Sequence, residues 1–95
     1  MTTQLRRYEI VDGEMDAFVE WFPAIVPVRE KYGFRILFAC ADREKHEFVW
    51  AVSHDGDYEA ALEEYNGSPE RAAAFEGQPS RVSKMHLSMV EPLEL

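Results

Sequence analysis

The stretch HEFVWAVSHD, residues 46–55, has the composition of a β-strand and is apolar on both of its faces. Alternating side chains point to opposite faces of a strand, so one face carries large residues and the other smaller ones. The two sets are Phe48, Trp50 and Val52 against Val49 and Ala51. Both faces of this strand must be covered to remove these side chains from water, which constrains the fold and the assembly of the chain.

The chain has 95 residues, which predicts one domain over residues 1–95. Its hydrophobic fraction of 46% predicts a folded chain. The chain carries a net charge of −8 and contains no Lys/Arg cluster, which argues against nucleic acid as a partner. The N-terminus lacks a secretion signal pattern, and no run approaches the ~18 apolar residues that a bilayer span needs. We expect a soluble, cytoplasmic protein with no membrane partner.

The N-terminal part of the chain predicts a strand followed by an interrupted helix. Residues 3–11 have strand character, and Asp12 is positioned to cap a helix that begins at Glu14. Pro23 predicts a kink or a division of that helix, and Gly33 predicts its end. The apolar stripe of the helix consists of Met15, Phe18, Val19, Phe22, Ile25 and Val26.

Residues 34–42 and 45–54 predict an antiparallel hairpin, because two β-rich runs are separated by only a few polar positions. Simple alternation divides the first of these strands into two faces, Phe34, Ile36 and Phe38 against Leu37, Ala39 and Ala41. Cys40 lies in the same apolar run, and we expect its thiol to be buried.

The C-terminal part predicts two short helices and a last strand. Asp57 is positioned to cap a helix over residues 58–66, and Ser68 begins another that extends through Phe75. Residues 81–93 read as the closing strand. Its two faces carry Met85, Leu87 and Met89 against Lys84, His86 and Ser88.

The element order predicts an α+β fold of the ferredoxin-like βαββαβ type, a four-stranded antiparallel sheet with helices on one face. The other face is then bare. Leaving six large side chains in water forgoes on the order of 10 kcal/mol at ~1.5–3 kcal/mol each, comparable with the whole stability of a small domain. We therefore predict a homodimer through the sheet face, a dimeric α+β barrel. If the Phe/Trp face meets the helices instead, the bare face holds mainly alanine and valine and the argument for a dimer weakens.

Four segments together resemble the NIPSNAP family of the dimeric α+β barrel superfamily. They are QLRRYEI (4–10), VPVREKYGFRI (26–36), EFVWAVSHD (47–55) and YNGSPERAAAF (65–75). The resemblance covers nearly the whole chain and consists of structural rather than catalytic motifs. It implies a homodimer with face-to-face sheets and a small-molecule ligand held beside the sheet, but it implies little chemistry.

Five residues form the candidate ligand-binding site: Arg6, Tyr8, Trp50, His54 and His86. If their strand faces coincide, they provide a cationic, hydrogen-bonding and aromatic lining for a small oxygenated aromatic or acidic metabolite. The two histidines are the candidate catalytic residues, since imidazole is a general base near neutral pH. The alternative is that the two aromatic residues belong to the core, the arginine pairs with an acid, and the histidines lie at the rim.

The sequence predicts no metal site and no cofactor. The three histidines lack metal-ligand spacing, and Asp57 is explained as a helix cap. The superfamily includes cofactor-free monooxygenases of phenolic substrates and haem-degrading enzymes. The haem-degrading pattern needs an asparagine on the first strand, whereas the single asparagine here is Asn66.

Two functional hypotheses follow. The first is a homodimeric protein that binds a small apolar or aromatic metabolite between sheet and helices. The alternative is a small cofactor-free monooxygenase or isomerase that acts on an aromatic substrate.

Overall fold

The computed structural model describes all residues, Met1–Leu95, and contains one four-stranded antiparallel sheet. Its strands are β1 (Thr2–Ile10), β2 (Phe34–Asp42), β3 (Glu47–His54) and β4 (Val82–Val90). They lie in the order β2–β3–β1–β4, with every neighbouring pair antiparallel. The predicted ferredoxin-like α+β fold is therefore confirmed. Every helix is too short and too polar to cross a lipid bilayer.

The first helical segment is divided at Pro23, as predicted. Helix α1 (Met15–Trp21) passes into a 3₁₀ turn (Phe22–Ala24) and then into helix α2 (Val26–Lys31). A proline cannot donate a backbone hydrogen bond, and its ring crowds the preceding turn, so the α-helix is interrupted there. Gly33 follows α2 with a φ of 88°, a left-handed conformation that glycine adopts without steric cost.

The predicted cap at Asp12 is wrong. The side chain of Asp12 is almost fully exposed, and Glu14 occupies the N-cap position without a side-chain cap bond. Gly13 has a φ of 81°, and the Glu14 amide donates to the Val11 carbonyl oxygen at 3.0 Å. This turn places the start of α1 beyond the reach of Asp12.

The two later helices begin at the predicted caps. Helix α3 (Tyr58–Asn66) starts after Asp57, whose carboxylate accepts from the Ala60 amide at 3.1 Å. Helix α4 (Pro69–Phe75) starts after Ser68, whose hydroxyl accepts from the Arg71 amide at 3.1 Å. Both side chains satisfy an amide that would otherwise lack a partner at the helix start.

The core lies between the helices and the sheet face that carries Phe48, Trp50 and Val52. Trp50 and Val52 are 1% and 0% exposed. The ring of Phe48 packs against Phe18 and Phe22, with centroid distances of 4.8 and 4.7 Å. The Phe/Trp face thus meets the helices, which is the arrangement that leaves smaller side chains on the bare face.

A β-bulge at Leu37 changes which residues of β2 reach that bare face. Ile36 pairs with Val52, but Phe38 pairs with Ala51, so Leu37 is skipped. Phe38 therefore shares a face with Ala51 and is 46% exposed, which corrects its predicted grouping with Phe34 and Ile36.

The expectation of a buried Cys40 is also wrong. Cys40 follows the bulge and pairs with Val49, which lies on the bare face. Its side chain is exposed because the helices cover only the other side of the sheet.

Strand β4 is an edge strand, and the helices cover it only in part. Met85, Leu87 and Met89 share one face, as predicted, and pair with Tyr8, Arg6 and Gln4 on the helix side of the sheet. They are nevertheless 52%, 49% and 57% exposed. The strand ends at Val90, so the last residues of the predicted 81–93 strand lie outside it.

Glu70 ties α4 to the end of α2 and makes stability depend on pH. It accepts hydrogen bonds from Lys31 and, at 3.2 Å, from the Tyr32 hydroxyl. The hydrogen bond from Lys31 lowers the pKa of Glu70. Because the unfolded chain then binds this proton at higher pH than the folded chain, the stabilisation is present above the ordinary glutamate pKa and is lost as pH falls through the lowered value.

We predict that Glu70→Gln makes the free energy of unfolding depend less on pH in the acidic range. Urea unfolding between pH 6 and pH 3 should show a smaller loss of stability than in the parent chain. The matched control is Glu63→Gln, an exposed glutamate of α3 without side-chain hydrogen bonds, which should retain the parental slope. Identical slopes for all three chains would contradict the assignment.

Candidate functional site

A cavity of about 240 Å³ lies between the helix side of the sheet and the helices. Twelve residues line it, and eight of them are hydrophobic. The sheet contributes Arg6, Tyr8, Trp50 and Leu87, which β1, β3 and β4 hold side by side. The helices contribute a second group, consisting of Trp21, Ile25, Arg29, Leu62, Tyr65, Asn66, Arg71 and Phe75.

A network of neutral acceptors positions Arg6 on the sheet side of the cavity. Its Nε donates to the Tyr8 hydroxyl at 2.8 Å, and its Nη1 donates to Gln4 Oε1 at 2.7 Å. The same Gln4 oxygen accepts from the Tyr58 hydroxyl at 2.9 Å. These contacts fix the guanidinium over the Trp50 ring, 5.2 Å from its centroid, without neutralising its charge.

Arg29 is the most deeply buried charge of the cavity. It projects from α2 and is only 3% exposed. Its guanidinium carbon lies 4.1 Å from the ring centroid of Tyr65, 5.0 Å from that of Phe34 and 5.1 Å from that of Trp50. Neither Nε nor Nη1 has a hydrogen-bond partner in the protein. Cation–π contacts with three rings therefore replace the carboxylate that a buried arginine usually requires.

A third arginine and an aromatic pair complete the helix side. Arg71 lies over Phe75, 4.2 Å from its centroid, and its Nε is buried without a partner. Trp21 packs edge-on against Phe75 at 4.8 Å, and its indole N–H donates to the Ala74 carbonyl oxygen at 2.9 Å. Trp21 and Phe75 also line a neighbouring hollow of about 280 Å³. The pair is thus a fixed wall shared by two depressions.

The cavity is electropositive, although the chain carries a net charge of −8. Its lining includes Arg6, Arg29 and Arg71 but no aspartate or glutamate. None of the three forms an ion pair, whereas Arg7, Lys31, Arg43 and Arg81 all do. Burial lowers the pKa of Arg29, and the nearby charge of Arg6 lowers it further. The site therefore favours a ligand with negative charge.

Three of the five predicted site residues come together in this cavity: Arg6, Tyr8 and Trp50. Sequence reasoning missed Arg29 and Arg71. The signal for Arg29 was its position, because it continues the helical apolar stripe four residues after Ile25. A charged residue at a core-facing helical position needs an explanation, whereas Arg71 carried no comparable signal.

His54 lies on the helix side of the sheet but outside the cavity. Both of its ring nitrogens form hydrogen bonds with backbone groups. Its Nδ1 accepts from the Gly56 amide at 2.9 Å, and its Nε2 lies 3.1 Å from the Tyr32 carbonyl oxygen. This pairing corresponds to a neutral ring protonated at Nε2, which leaves no free nitrogen to act as a base. The ring also packs edge-on against Phe34 at 5.0 Å.

His86 lies on the opposite face of the sheet from the cavity. It pairs in register with Arg7, and its Nε2 lies 2.7 Å from a carboxylate oxygen of Glu9. This hydrogen bond lowers the pKa of Glu9. The predicted convergence of both histidines with Arg6 is therefore not found, because strand alternation sends His86 to the other face. No group of three His, Cys, Asp or Glu side chains is arranged to hold a metal ion.

Solved structures share this fold. An uncharacterized NIPSNAP domain protein from Burkholderia xenovorans has a TM-score of 0.81 at 17% identity, over 98% of this chain and 95% of its own. A NIPSNAP family protein of unknown function from Agrobacterium tumefaciens has a TM-score of 0.84 at 10% identity, over 97% and 87%. A candidate antibiotic biosynthesis monooxygenase from Nitrosomonas europaea has a TM-score of 0.73 at 8% identity, over 99% and 100%. No family model and no curated protein matches the sequence. The predicted NIPSNAP resemblance is confirmed as a shared fold.

We predict that His54 is a structural residue, which can be tested through the glycine it packs against. A Cβ added at Gly33 would lie 2.7 Å from His54 Nε2, whereas one added at Gly13 meets nothing within 4 Å. Both glycines have positive φ, so the two alanine variants share the backbone strain and differ in the clash. Gly33→Ala should destabilise the chain by about 1 kcal/mol more than Gly13→Ala in urea unfolding.

The His54→Ala background provides the control for this comparison. Removing the imidazole removes the clash, so the two glycine variants should then differ little in their effect on the free energy of unfolding. Equal effects of Gly33→Ala and Gly13→Ala in the parent chain would show that the His54 ring is not held in place.

Proposed function

We propose that this protein binds a small aromatic metabolite in the cavity between sheet and helices, and that it does so as a homodimer. The observation that carries the proposal is a cavity walled by aromatic rings and lined by three arginines that form no ion pair. The deepest of the three, Arg29, is 3% exposed and has no carboxylate of the chain within ion-pair distance. Buried charges are normally paired, so three unpaired guanidinium groups around one cavity support a ligand that supplies the missing acceptors.

The size and lining of the cavity support a ligand with a single ring. Its volume of about 240 Å³ is slightly below the range of ~300–1,000 Å³ that is common for ligand sites. Tyr8, Trp50 and Tyr65 offer ring faces and edges for stacking. Leu87, half-exposed on the edge strand, lies where a ligand could enter from solvent.

A second candidate function is a cofactor-free monooxygenase or isomerase that acts on an aromatic substrate. Support comes from the fold shared with the candidate antibiotic biosynthesis monooxygenase from Nitrosomonas europaea. No histidine lines the cavity, so proton transfer there would fall to the hydroxyls of Tyr8 and Tyr65. Aerobic incubation with a bound phenol separates the candidates, because a binding protein returns the phenol unchanged.

The homodimer is supported by the bare face of the sheet. Phe38 is 46% exposed on this face, and Leu37, at the adjacent bulge, is 39% exposed. Leu5, Val49 and Ala51 lie on the same side of the sheet. Polar pairs lie towards one end of this face, including the Arg7–Glu47 ion pair and the Glu9–His86 hydrogen bond. An apolar surface with polar groups at its border is typical of part of a protein interface.

We predict that single-ring aromatic compounds shift the indole signal of Trp50 in ¹H–¹⁵N spectra. The chain has only two tryptophans, and both line the cavity, so each reports on the site through one resolved signal. Trp50 Nε1–H lacks a partner and should respond more than that of Trp21, which is bonded to a backbone carbonyl. A panel of phenols, aryl carboxylates and aryl amides at millimolar concentration is sufficient.

Matched substitutions on β4 localise the response. Leu87→Trp fills part of the cavity and should reduce the response severalfold. Met89→Trp, two residues along the same strand face, lies outside the lining and should leave it unchanged. If no compound of the panel moves the Trp50 signal, the proposed binding function is wrong.

We predict that Phe38→Glu converts the dimer into a monomer. A charge at this position would be buried between the two sheets, where its desolvation opposes association. Size-exclusion chromatography with light scattering at micromolar concentration measures the mass directly. Met85→Glu is the matched control, since Met85 is 52% exposed on the other side of the sheet and should leave the dimer intact. A parent chain that is monomeric under these conditions would contradict the assembly.

A further inference from the structure

The charge of Arg29 is the least compensated feature of the molecule. At 3% exposure it is removed from water, and no carboxylate of the chain approaches it within ion-pair distance. A buried cation without a partner is strongly unfavourable, and aromatic rings recover only part of the lost hydration. The chain has 18 acidic residues, yet none lines this cavity.

The other two arginines reinforce this imbalance. Arg6 uses its Nε and Nη1 on the neutral oxygens of Tyr8 and Gln4, so its charge stays uncompensated. Arg71 has a buried Nε with no partner and lies at the same cavity. Like charges in one low-dielectric space repel, which makes the empty cavity unfavourable and the binding of an anion favourable.

We propose that the ligand of this cavity is an aryl carboxylate whose carboxylate is held against the guanidinium of Arg29. The inference rests on the proposed binding function and adds the charge and chemical class of the ligand. The carboxylate forms charge-assisted hydrogen bonds with the guanidinium, and the ring occupies the space between Tyr8, Trp50 and Tyr65.

The lining favours a carboxylate over a phosphate ester. Eight of the twelve lining residues are hydrophobic, so a ligand that enters must lose most of its hydration. A phosphate dianion carries more charge and more oxygens that require donors, and the desolvation cost rises with both. A monoanionic carboxylate matches one deeply buried arginine, with Arg6 and Arg71 providing the surrounding positive potential.

The test compares benzoate with benzamide, which has nearly the same shape and no charge. Both are titrated into the parent chain at neutral pH and low salt, with the Trp50 indole signal and calorimetry as readouts. We expect benzoate to bind at least ~10-fold more tightly than benzamide, and phenyl phosphate to bind more weakly than benzoate.

Variants assign the preference to Arg29. Arg29→Met should abolish the ~10-fold preference by weakening benzoate and leaving benzamide nearly unchanged. Arg7→Met is the matched control, because Arg7 lies on the same strand as Arg6 but on the opposite face, where it pairs with Glu47. It should keep the full preference. If Arg29→Met does not fold, Arg29→Lys retains the charge and should keep a reduced preference for benzoate.

The possible results separate the inference from the proposed function. Equal affinity for benzoate and benzamide, or tighter binding of phenyl phosphate, would overturn the carboxylate assignment and leave the aromatic binding function standing. A preference for benzoate that survives Arg29→Met would also overturn it. If neither compound moves the Trp50 signal, and no other aromatic compound does, the binding function itself fails.

Discussion

The burial of Trp50 between the sheet and the helices is the constraint on which both the core and the cavity depend. Its ring is 1% exposed and packs against Phe22 at 5.1 Å, within the hydrophobic core. The same ring lies under the guanidinium groups of Arg6 and Arg29. The core and the proposed ligand site therefore share one side chain, and a change in the register of β3 would displace both together.

The distribution of charge gives the molecule two electrostatic environments. On the surface, acidic residues outnumber basic ones and several cations are paired, as in Arg43–Asp16 and Arg81–Glu14. Inside the cavity the sign is reversed, because the arginines there have only aromatic and amide neighbours. A local field of this kind would act on an anion in the cavity more strongly than the net charge of −8, since buried charges are poorly screened by water and salt.

The two faces of the sheet have different roles. The helix side holds the large rings and the cavity, and it leaves the edge strand β4 partly uncovered at Met85 and Leu87. The opposite side holds smaller apolar residues, to which the bulge at Leu37 adds Phe38. This division separates the proposed ligand site from the proposed dimer surface, so each can be altered without the other.

The sequence by itself determined the order of the elements, the break at Pro23 and the caps at Asp57 and Ser68. These features depend on contacts within about four residues, so local chemistry is sufficient to predict them. Only the tertiary structure decided the phase of β2 after its bulge, the position of His86 away from the cavity, and the burial of Arg29 among rings from other elements. Each of those features depends on hydrogen-bond register and packing between distant segments. The alternation of side chains along one strand and the periodicity of one helix contain no information about such contacts.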